Sequence, residues 1–258
     1  MNPLLGFGER LIIGHRGAPT LAPENTIESF RIALDQGADA LEMDVRISAD
    51  GVPMVIHDAD LDRTTDRAGA VSSLTAQTIQ QADAGARFTP DGGCTFPWKG
   101  HNVRVPTLDE VLAALPDVPL LLELKTAAAQ DAVRRVILDH DAAEWVIPAS
   151  AHDGALAAFR DRPFRYGASS REIARLYWGS MFGLAPRKVR HSLLSVPHRY
   201  HGLLVPSARF LRAARRLGSP VHVWTVDDPL QARHLWARGA AGIVTNTPRK
   251  LVKARGEL

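Results

Sequence analysis

The sequence is poor in cysteine and contains no long apolar run, and each absence excludes a class of protein. Cys94 is the single cysteine among 258 residues, so an internal disulfide cannot form and a reducing compartment is expected. No stretch approaches the roughly 18 apolar residues that a membrane-spanning helix requires. The N-terminal sequence MNPLLGFGERL has no basic segment and too short an apolar run for a signal peptide. Together these features predict a cytoplasmic protein.

Acidic residues are missing from one long stretch, although the formal net charge of the whole chain is only +3. Between Ile173 and Val226 there is no Asp or Glu. Apolar residues recur at helical spacing from Ala208 to Leu217, so one interpretation is an ordinary helix with a solvated basic face. The other is contact with an anionic membrane through residues 173–200, where aromatic and basic residues alternate. Neither interpretation includes a nucleic-acid partner. The basic residues of the stretch are Arg175, Arg187, Lys188, Arg190, Arg199, Arg209, Arg212, Arg215 and Arg216.

Short apolar runs alternate with helical patterns along nearly the whole chain, which is typical of an α/β fold. Capping boxes predict helix starts at Asn25, Thr107 and Ser169. About eight strand–helix units predict a single (β/α)8 barrel domain over residues 1–258. A doubly wound open sheet is the alternative, but neither a GxGxxG motif nor a P-loop supports it. The candidate strands are Leu11–Gly14, Ala40–Arg46, Leu120–Lys125, Trp145–Ala149, Phe164–Ala168, Leu193–Val196, Val221–Val226 and Gly242–Thr245.

One departure from this alternation is Ser48–His57, which has the pattern of a β-hairpin. Asp50 and Gly51 are typical of a two-residue turn. Such a turn would bring His57 directly opposite Asp44 on the preceding strand, and a histidine facing an acidic strand end is a candidate site residue.

A second departure is Phe88–Val105, which is rich in Gly, Pro and aromatic residues and shows little periodicity. It predicts a small ordered insertion within the domain. We expect both the hairpin and this insertion on the C-terminal face of the barrel, where the connecting loops are long.

Charged side chains collect at the ends of predicted strands. Glu42 and Asp44 alternate on one face of LEMDVRI, and two neighbouring carboxylates require a positive partner. Mg²⁺ or Ca²⁺ is a natural one, because hard cations prefer oxygen ligands. Glu123 and Lys125 stand at the same spacing at the end of LLLELK. Functional side chains of a barrel gather at the C-terminal ends of its strands, so we expect these residues to share one site.

The first predicted strand adds a histidine and an arginine, since its apolar run ends in Gly14, His15, Arg16 and Gly17. Together with His57, these side chains would suit a phosphate group. His15 would carry a proton, and Arg16 would clamp phosphoryl oxygens through two hydrogen bonds. The two glycines would let the backbone turn tightly beside a ligand.

Six motifs follow one another along the chain: HRGAPTLAPENT, ALEMDVRISADGVPMVIHDADLDRTT, RVPTLDEVL, LLLELK, VHVWTVDD and GIVTN. In these motifs, from Ile12 to Pro248, the sequence resembles the glycerophosphodiester phosphodiesterase family. The resemblance implies a (β/α)8 barrel that hydrolyses glycerophosphodiesters to an alcohol and glycerol 3-phosphate.

The resemblance also implies a role for each candidate residue. One divalent cation would be bound by Glu42, Asp44 and Glu123. It would be Mg²⁺ or Ca²⁺, with Mn²⁺ as an alternative. The general acid–base pair would be His15 and His57. Residues in contact with the substrate would be Arg16 and Lys125 at the phosphate and Trp224 in the glycerol pocket.

Three features leave alternatives open. The family usually carries Asp where this chain has Asn246, and Glu24 has either a structural role at a helix entry or a role in the site. Residues 172–217 match the family pattern poorly, so the leaving group is undetermined. Hydrolysis of a lysophospholipid or related lipid phosphodiester is therefore an alternative. A non-catalytic phosphate-binding barrel is a third, which the complete set of histidines and carboxylates disfavours.

Overall fold

The computed structural model describes residues 2–256 of the chain. The strands are β1 (Leu11–His15), β2 (Ala40–Ile47), β3 (Pro53–Val55), β4 (Leu120–Leu124), β5 (Val146–Ala149), β6 (Leu194–Pro197), β7 (Arg199–Tyr200), β8 (Leu203–Leu204), β9 (Val221–Trp224) and β10 (Gly242–Thr245). The α-helices are α1 (Ile27–Asp35), α2 (Ala76–Gln80), α3 (Leu108–Ala114), α4 (Gln130–Asp139), α5 (Ser170–Phe182), α6 (Ala208–Arg216), α7 (Pro229–Ala237) and α8 (Pro248–Gly256). None of the helices described is long and apolar enough to cross a membrane.

Seven strands form a parallel sheet in the order β5–β4–β2–β1–β10–β9–β6, and residues 166–168 close the remaining gap. Gly167 forms a parallel bridge with Leu193, and its N–H donates to the Pro148 carbonyl at 2.8 Å. Ala168 N–H donates to the Leu193 carbonyl at 2.9 Å. The ring is thus complete, which confirms the predicted barrel, and each of the eight predicted strands contributes to one position in it.

Side-chain caps determine where several helices begin. The predicted capping boxes at Thr107 and Ser169 are confirmed, with the side chain and backbone of each pair bonded reciprocally. The prediction at Asn25 is wrong. The hydroxyl of Thr26, the next residue, caps α1 by accepting from Ser29 N–H at 3.3 Å. Asn25 is left free to bond elsewhere, and its partner lies in the site described below.

The β2–β3 hairpin has a register that differs by one residue from the prediction. Ile56, and not His57, lies opposite Asp44, because Ile56 N–H donates to the Asp44 carbonyl at 3.0 Å. The cause is a three-residue loop in which Gly51 adopts a left-handed conformation with φ of 79°. Gly51 N–H donates to the Ser48 carbonyl at 3.1 Å and closes this loop. His57 therefore follows the end of the antiparallel pairing.

The chain between β3 and α3 folds as one unit beside the C-terminal end of the barrel. The predicted insertion Phe88–Val105 is part of this larger unit, because Val103 and Val105 enter its core. Trp98 ties the unit to the loop after β1, since its Nε1 donates to the Leu21 carbonyl at 2.8 Å. The buried residues of its core are Met54, Ile56, Leu61, Val71, Ala76, Ile79, Ala82, Ala84, Val103 and Val105.

The opposite end of the barrel is closed by the segment that precedes β1. Leu4 is fully buried there. Nε2 of His222, on β9, lies 2.8 Å from the Leu4 carbonyl, which can only accept, so Nε2 carries the proton. Burial lowers the pKa of His222 to about 4. Gly242 is required beside it, because a Cβ at that position would lie 2.5 Å from Nδ1 of His222.

Candidate active site

Two neighbouring strands bring the predicted carboxylates together, and a third sets a histidine beside them. The pairing of β1 with β2 sets His15 beside Glu42, and the pairing of β2 with β4 sets Asp44 beside Glu123. One carboxylate oxygen from each acidic residue lies within 4.8 Å of the others. Parallel pairing of adjacent strand ends thus produces a cluster that the i and i+2 spacing within each strand had only suggested.

Two cations lie against this cluster. Nζ of Lys125 lies 2.8 Å from Oδ1 of Asp44 and 3.0 Å from Oε2 of Glu123. Nε of Arg16 lies 3.0 Å from Oδ2 of Asp44. Burial acts to raise the pKa of Asp44, but the charges of Lys125 and Arg16 outweigh it and lower that pKa. Asp44 is therefore a buried anion with two cationic neighbours.

For Glu42 the pKa shifts in the opposite direction. Its pKa is raised well above the ordinary value, first by burial and then by the negative charges of Asp44 and Glu123. Around Glu42 the protein's own cations therefore do not balance the carboxylates. Three converging carboxylates with a deficit of positive charge fit a hard divalent cation, which prefers oxygen ligands.

Asn25 belongs to the site and was not identified from the sequence. Its Nδ2 donates to Oδ2 of Asp44 at 2.9 Å, and its Oδ1 accepts from Asp44 N–H at 3.2 Å. Its φ of 58° is a left-handed conformation that asparagine tolerates better than most residues. The position of Asn25 before a helix favoured a capping role, and only the long-range contact with Asp44 distinguishes the two.

His15 is held by a chain of hydrogen bonds from the last barrel strand. Its Nδ1 lies 2.7 Å from Oδ1 of Asn246. Asp227 fixes that amide, because its carboxylate accepts from Asn246 Nδ2 at 2.8 Å and from Asn246 N–H at 2.7 Å. Oδ1 must then face the histidine as an acceptor, so His15 Nδ1 carries the proton and Nε2 has the lone pair. Nε2 lies 3.9 Å from Oε2 of Glu42.

His15 is neutral in this setting. Burial lowers its pKa, and the neighbouring charge of Arg16 lowers it further. The turn that follows consists of two left-handed residues, Arg16 with φ of 53° and Gly17 with φ of 92°. Arg16 N–H donates to Oε2 of Glu42 at 3.1 Å, so the turn is bonded to the acidic cluster.

His57 is held by a carboxylate. Its Nδ1 lies 2.6 Å from Oδ1 of Asp58. Hydrogen bonds from Arg63 keep the pKa of Asp58 well below its ordinary range, so this carboxylate is ionised and accepts. Nδ1 of His57 is therefore the donor, and Nε2 has no partner among residues 2–256. Asp58 and Arg63 were not identified from the sequence, where both belong to a motif of several charged residues.

Glu24 connects the two histidine regions. Arg63 donates to both of its carboxylate oxygens, at 2.9 and 2.7 Å, and Arg16 donates to one of them at 2.9 Å. Burial acts to raise the pKa of Glu24, but the hydrogen bonds from Arg63 and the charge of Arg16 lower it. An unbroken series of ion pairs thus leads from Asp58 to Asp44, and Glu24 is its middle member.

Trp224 lies at the C-terminal end of β9 and is 42% exposed. Its carbonyl accepts from His198 N–H at 2.8 Å. Its ring has no aromatic or cationic partner among the described residues. The tryptophan is thus available to a ligand at the end of the barrel where the charged residues lie.

The fold and these side chains define a class of protein. A barrel with buried carboxylates, two adjacent cations and two histidines, each with one ring nitrogen available, is suited to hydrolysis of a phosphate ester. A family model, the glycerophosphoryl diester phosphodiesterase family, matches residues 15–156 and 181–250. The chain belongs to this family.

Individual relatives agree with the family model. A glycerophosphodiester phosphodiesterase from Caldanaerobacter subterraneus subsp. tengcongensis is 30% identical over 94% of this chain and 96% of its own length. The glycerophosphoryl diester phosphodiesterase domain of an uncharacterized Mycobacterium tuberculosis protein has the same fold. It superimposes with a TM-score of 0.83 at 23% identity, covering 96% of this chain and 99% of that one.

A third similar protein is a phosphodiesterase from Oleispira antarctica whose structure was solved in complex with the product sn-glycerol-3-phosphate. It superimposes with a TM-score of 0.75 at 25% identity, covering 95% of this chain and 96% of that one.

Proposed function

We propose that this protein hydrolyses glycerophosphodiesters to an alcohol and sn-glycerol 3-phosphate in a reaction that requires one divalent cation. The observation that carries the proposal is the carboxylate cluster of Glu42, Asp44 and Glu123, to which side-chain contacts and ion pairs connect both histidine regions. Membership in the phosphodiesterase family and the product complex of the Oleispira relative support the substrate class.

Glu42, Asp44 and Glu123 would hold the cation, and the raised pKa of Glu42 is the feature that a bound cation would reverse. When bound, Mg²⁺ or Ca²⁺, with Mn²⁺ as an alternative, supplies a Lewis acid that polarises a phosphoryl oxygen. Asn25 would hold the Asp44 carboxylate in position through its two hydrogen bonds.

Arg16 and Lys125 would bind the remaining phosphoryl oxygens. Lys125 has three N–H donors and directs two of them at Asp44 and Glu123, so one is left for a ligand. Both Nη2 donors of Arg16 lack a partner among the described residues. Trp224 would pack against the glycerol moiety at the end of β9.

The two histidines would carry the protons. Nε2 of the neutral His15 would accept a proton from the attacking group, which is either water or the glycerol hydroxyl of the substrate. Attack by the hydroxyl would form a cyclic phosphate, which water would then open to glycerol 3-phosphate. Nε2 of His57 would donate to the departing alcohol, and the ionised Asp58 would stabilise the positive charge that His57 carries.

Removal of the metal tests the proposal. Treatment with EDTA should abolish hydrolysis of glycerophosphocholine, and Mg²⁺, Ca²⁺ or Mn²⁺ should restore it. Glu42→Gln should weaken metal binding, measured directly by calorimetry, and should lower turnover. Glu28→Gln, in the first turn of α1, is the matched control and should behave as the wild type. Full activity after exhaustive chelation contradicts the proposal.

A lipid phosphodiester is a second candidate substrate, because exposed apolar residues lie in the hairpin that follows β6, whose last residue pairs with Trp224. The β7–β8 hairpin carries Tyr200 and Leu203, which are 61% and 45% exposed, and it begins next to His198, which bonds to the Trp224 carbonyl. Comparison of kcat/KM for glycerophospho-alcohols and for lysophospholipids would distinguish the two substrate classes.

We also propose a cytoplasmic location, which the presence of one exposed, unpaired cysteine supports. Fractionation of cells that express the full-length protein would test this location.

A further inference from the structure

Helix α5 departs from the packing of an ordinary barrel helix. Leu176 is its only fully buried residue. The helix ends at the left-handed Gly183, and Leu184 N–H caps it by donating to the Gly179 carbonyl at 2.7 Å. Farther along, Nδ1 of His191 lies 3.3 Å from Oε1 of Glu172 in the first turn of α5. The helix and the segment after it therefore form an excursion with an outer tip near residues 178–184.

The outer tip is joined to the start of α6. Arg209 donates from Nη1 to the Met181 carbonyl at 3.2 Å. The ring of Tyr177 lies 6.3 Å from that of Phe210, centroid to centroid. Since the β7–β8 hairpin ends shortly before α6, the tip and the hairpin are both close to the first turn of this helix.

These two segments expose large apolar side chains. At the tip, Trp178, Phe182 and Leu184 are 52%, 73% and 79% exposed, and the hairpin adds Tyr200 and Leu203. We name these five residues the tip surface. Large apolar residues that are exposed close together on a water-soluble fold mark an interaction site.

The charge around the tip surface has one sign. All nine basic residues between Ile173 and Val226 are exposed, and this stretch has no acidic residue. Arg187 and Lys188 directly follow the tip, Arg199 lies in the hairpin, and Arg209 joins the two. The partner of such a surface must combine negative charge with an apolar interior.

We propose that the tip surface docks the protein on an anionic lipid membrane. Phe182 and Leu184 would enter the boundary between headgroups and acyl chains, while Arg187 and its neighbours bind lipid phosphates. His198 bonds to the Trp224 carbonyl at the start of the hairpin, so docking would bring the catalytic end of the barrel close to the lipid. This inference goes beyond the proposed function and does not depend on it.

Vesicle sedimentation with the full-length protein tests the inference. Vesicles of phosphatidylglycerol and phosphatidylcholine should bind the protein at low salt, and vesicles of phosphatidylcholine alone should not. High salt should weaken the binding, because ions screen the charge interaction. Phe182→Ser with Leu184→Ser should abolish it. Arg187→Gln with Lys188→Gln should reduce the affinity on the order of tenfold or more.

Matched controls distinguish binding through this surface from nonspecific apolar or electrostatic binding. Leu230→Ser removes a leucine that is 65% exposed on α7, and Arg249→Gln with Lys250→Gln removes two exposed cations on α8. Both should bind vesicles as the wild type does. None of these substitutions should change the hydrolysis of a water-soluble glycerophosphodiester, so failure of docking is distinguishable from failure of catalysis.

Depth of insertion gives a second readout. Brominated lipids should quench tryptophan fluorescence in the wild type, and Trp178→Phe should remove most of that quenching. The inference is overturned if the wild type does not bind anionic vesicles at low salt. It is equally overturned if the control variants and the tip variants bind anionic vesicles alike, or if the protein binds the polyanion heparin but does not bind vesicles.

Discussion

The two histidine regions of the site differ in the partner that holds each imidazole. Nδ1 of His15 bonds to the neutral amide of Asn246, whereas Nδ1 of His57 bonds to the ionised carboxylate of Asp58. The amide is oriented by one acidic residue, Asp227, and the carboxylate by one arginine, Arg63. Both arrangements leave Nε2 available, but only one of them places a negative charge directly against the ring.

This difference supports the separate roles proposed for the two rings. A neutral partner fixes a tautomer without favouring a positive imidazole, which suits a group that begins the reaction as a base. A carboxylate stabilises the positive ring, which suits a group that begins as an acid. Ion pairs through Arg63 and Glu24 connect the His57 region to Arg16, the residue that follows His15.

The largest expected effect is removal of either imidazole. His15→Ala and His57→Ala should each lower kcat by about 10²- to 10⁴-fold, because each ring transfers one proton in the proposed reaction. A nitrophenyl ester, whose leaving group needs no protonation, should restore activity to His57→Ala and not to His15→Ala. The reverse pattern of rescue would exchange the two roles, and near-normal rates of both variants on glycerophosphocholine would show that neither ring transfers protons.

Much of the barrel and most of the site could be predicted from the sequence, because both depend on local patterns. Strand alternation predicted that Glu42 and Asp44 share a face, and the known tendency of barrels predicted their meeting with Glu123. The partners of the histidines could not be predicted in this way. Asp58 directly follows His57, but whether it bonds to the ring depends on Arg63, and no periodicity specifies that contact.

The hairpin shows a second limit of sequence patterns. Asp50-Gly51 is compatible with two loop lengths, and a change of one residue moves every later side chain to the opposite face. Asn25 shows a third, since the same residue type caps helices and bonds to carboxylates. At Asn25 the long-range contact with Asp44 decides between the two roles.

A third histidine, His222, shows how burial shifts the pKa of an imidazole that has no charged neighbour among the described residues. Its pKa of about 4 lies below the ordinary value of 6.5, so protonation favours the unfolded chain. The contribution of His222 to stability is complete above pH 6.5 and is lost progressively as the pH falls toward 4. The free energy of unfolding should decrease over this range by on the order of 3 kcal/mol, at about 1.4 kcal/mol per pH unit.

Denaturant unfolding at several pH values measures this loss. His222→Gln keeps a donor for the Leu4 carbonyl and cannot be protonated, so its stability should depend less on pH between 6.5 and 4. His140→Gln is the control, since His140 is at a surface ion pair with Asp109. Equal pH dependence of stability in the His222 variant and the wild type would show that His222 does not cause the loss of stability at low pH.

Asp58→Asn should lower kcat by roughly 10- to 100-fold, the usual effect of removing a partner that orients a functional imidazole. The amide can bond to Nδ1 of His57 but supplies no negative charge, so the His57 region would then resemble the His15 region. The loss should be much smaller on the nitrophenyl ester, because the step that His57 assists in the proposed reaction is protonation of the leaving group. Asp60→Asn, an exposed neighbour, controls for local charge. A loss that is equal on both substrates would indicate that Asp58 acts only on the fold.

The smallest expected effect comes from the reverse exchange beside His15, where an amide is replaced by a carboxylate. Asn246→Asp places a carboxylate beside Nδ1 and should raise the pKa of His15, because a negative neighbour favours the positive ring. His15 must be neutral to accept a proton, so the acidic limb of the kcat/KM profile should move to higher pH while the plateau falls severalfold.

The new carboxylate would also face Asp227, which now accepts from the Asn246 amide. Asp227→Asn in the same chain exchanges the two residues and relieves that repulsion. The double variant should therefore recover the plateau but keep the shifted limb. A limb that returns to its original pH would mean that Asp227, and not the residue next to the ring, determines when His15 is protonated.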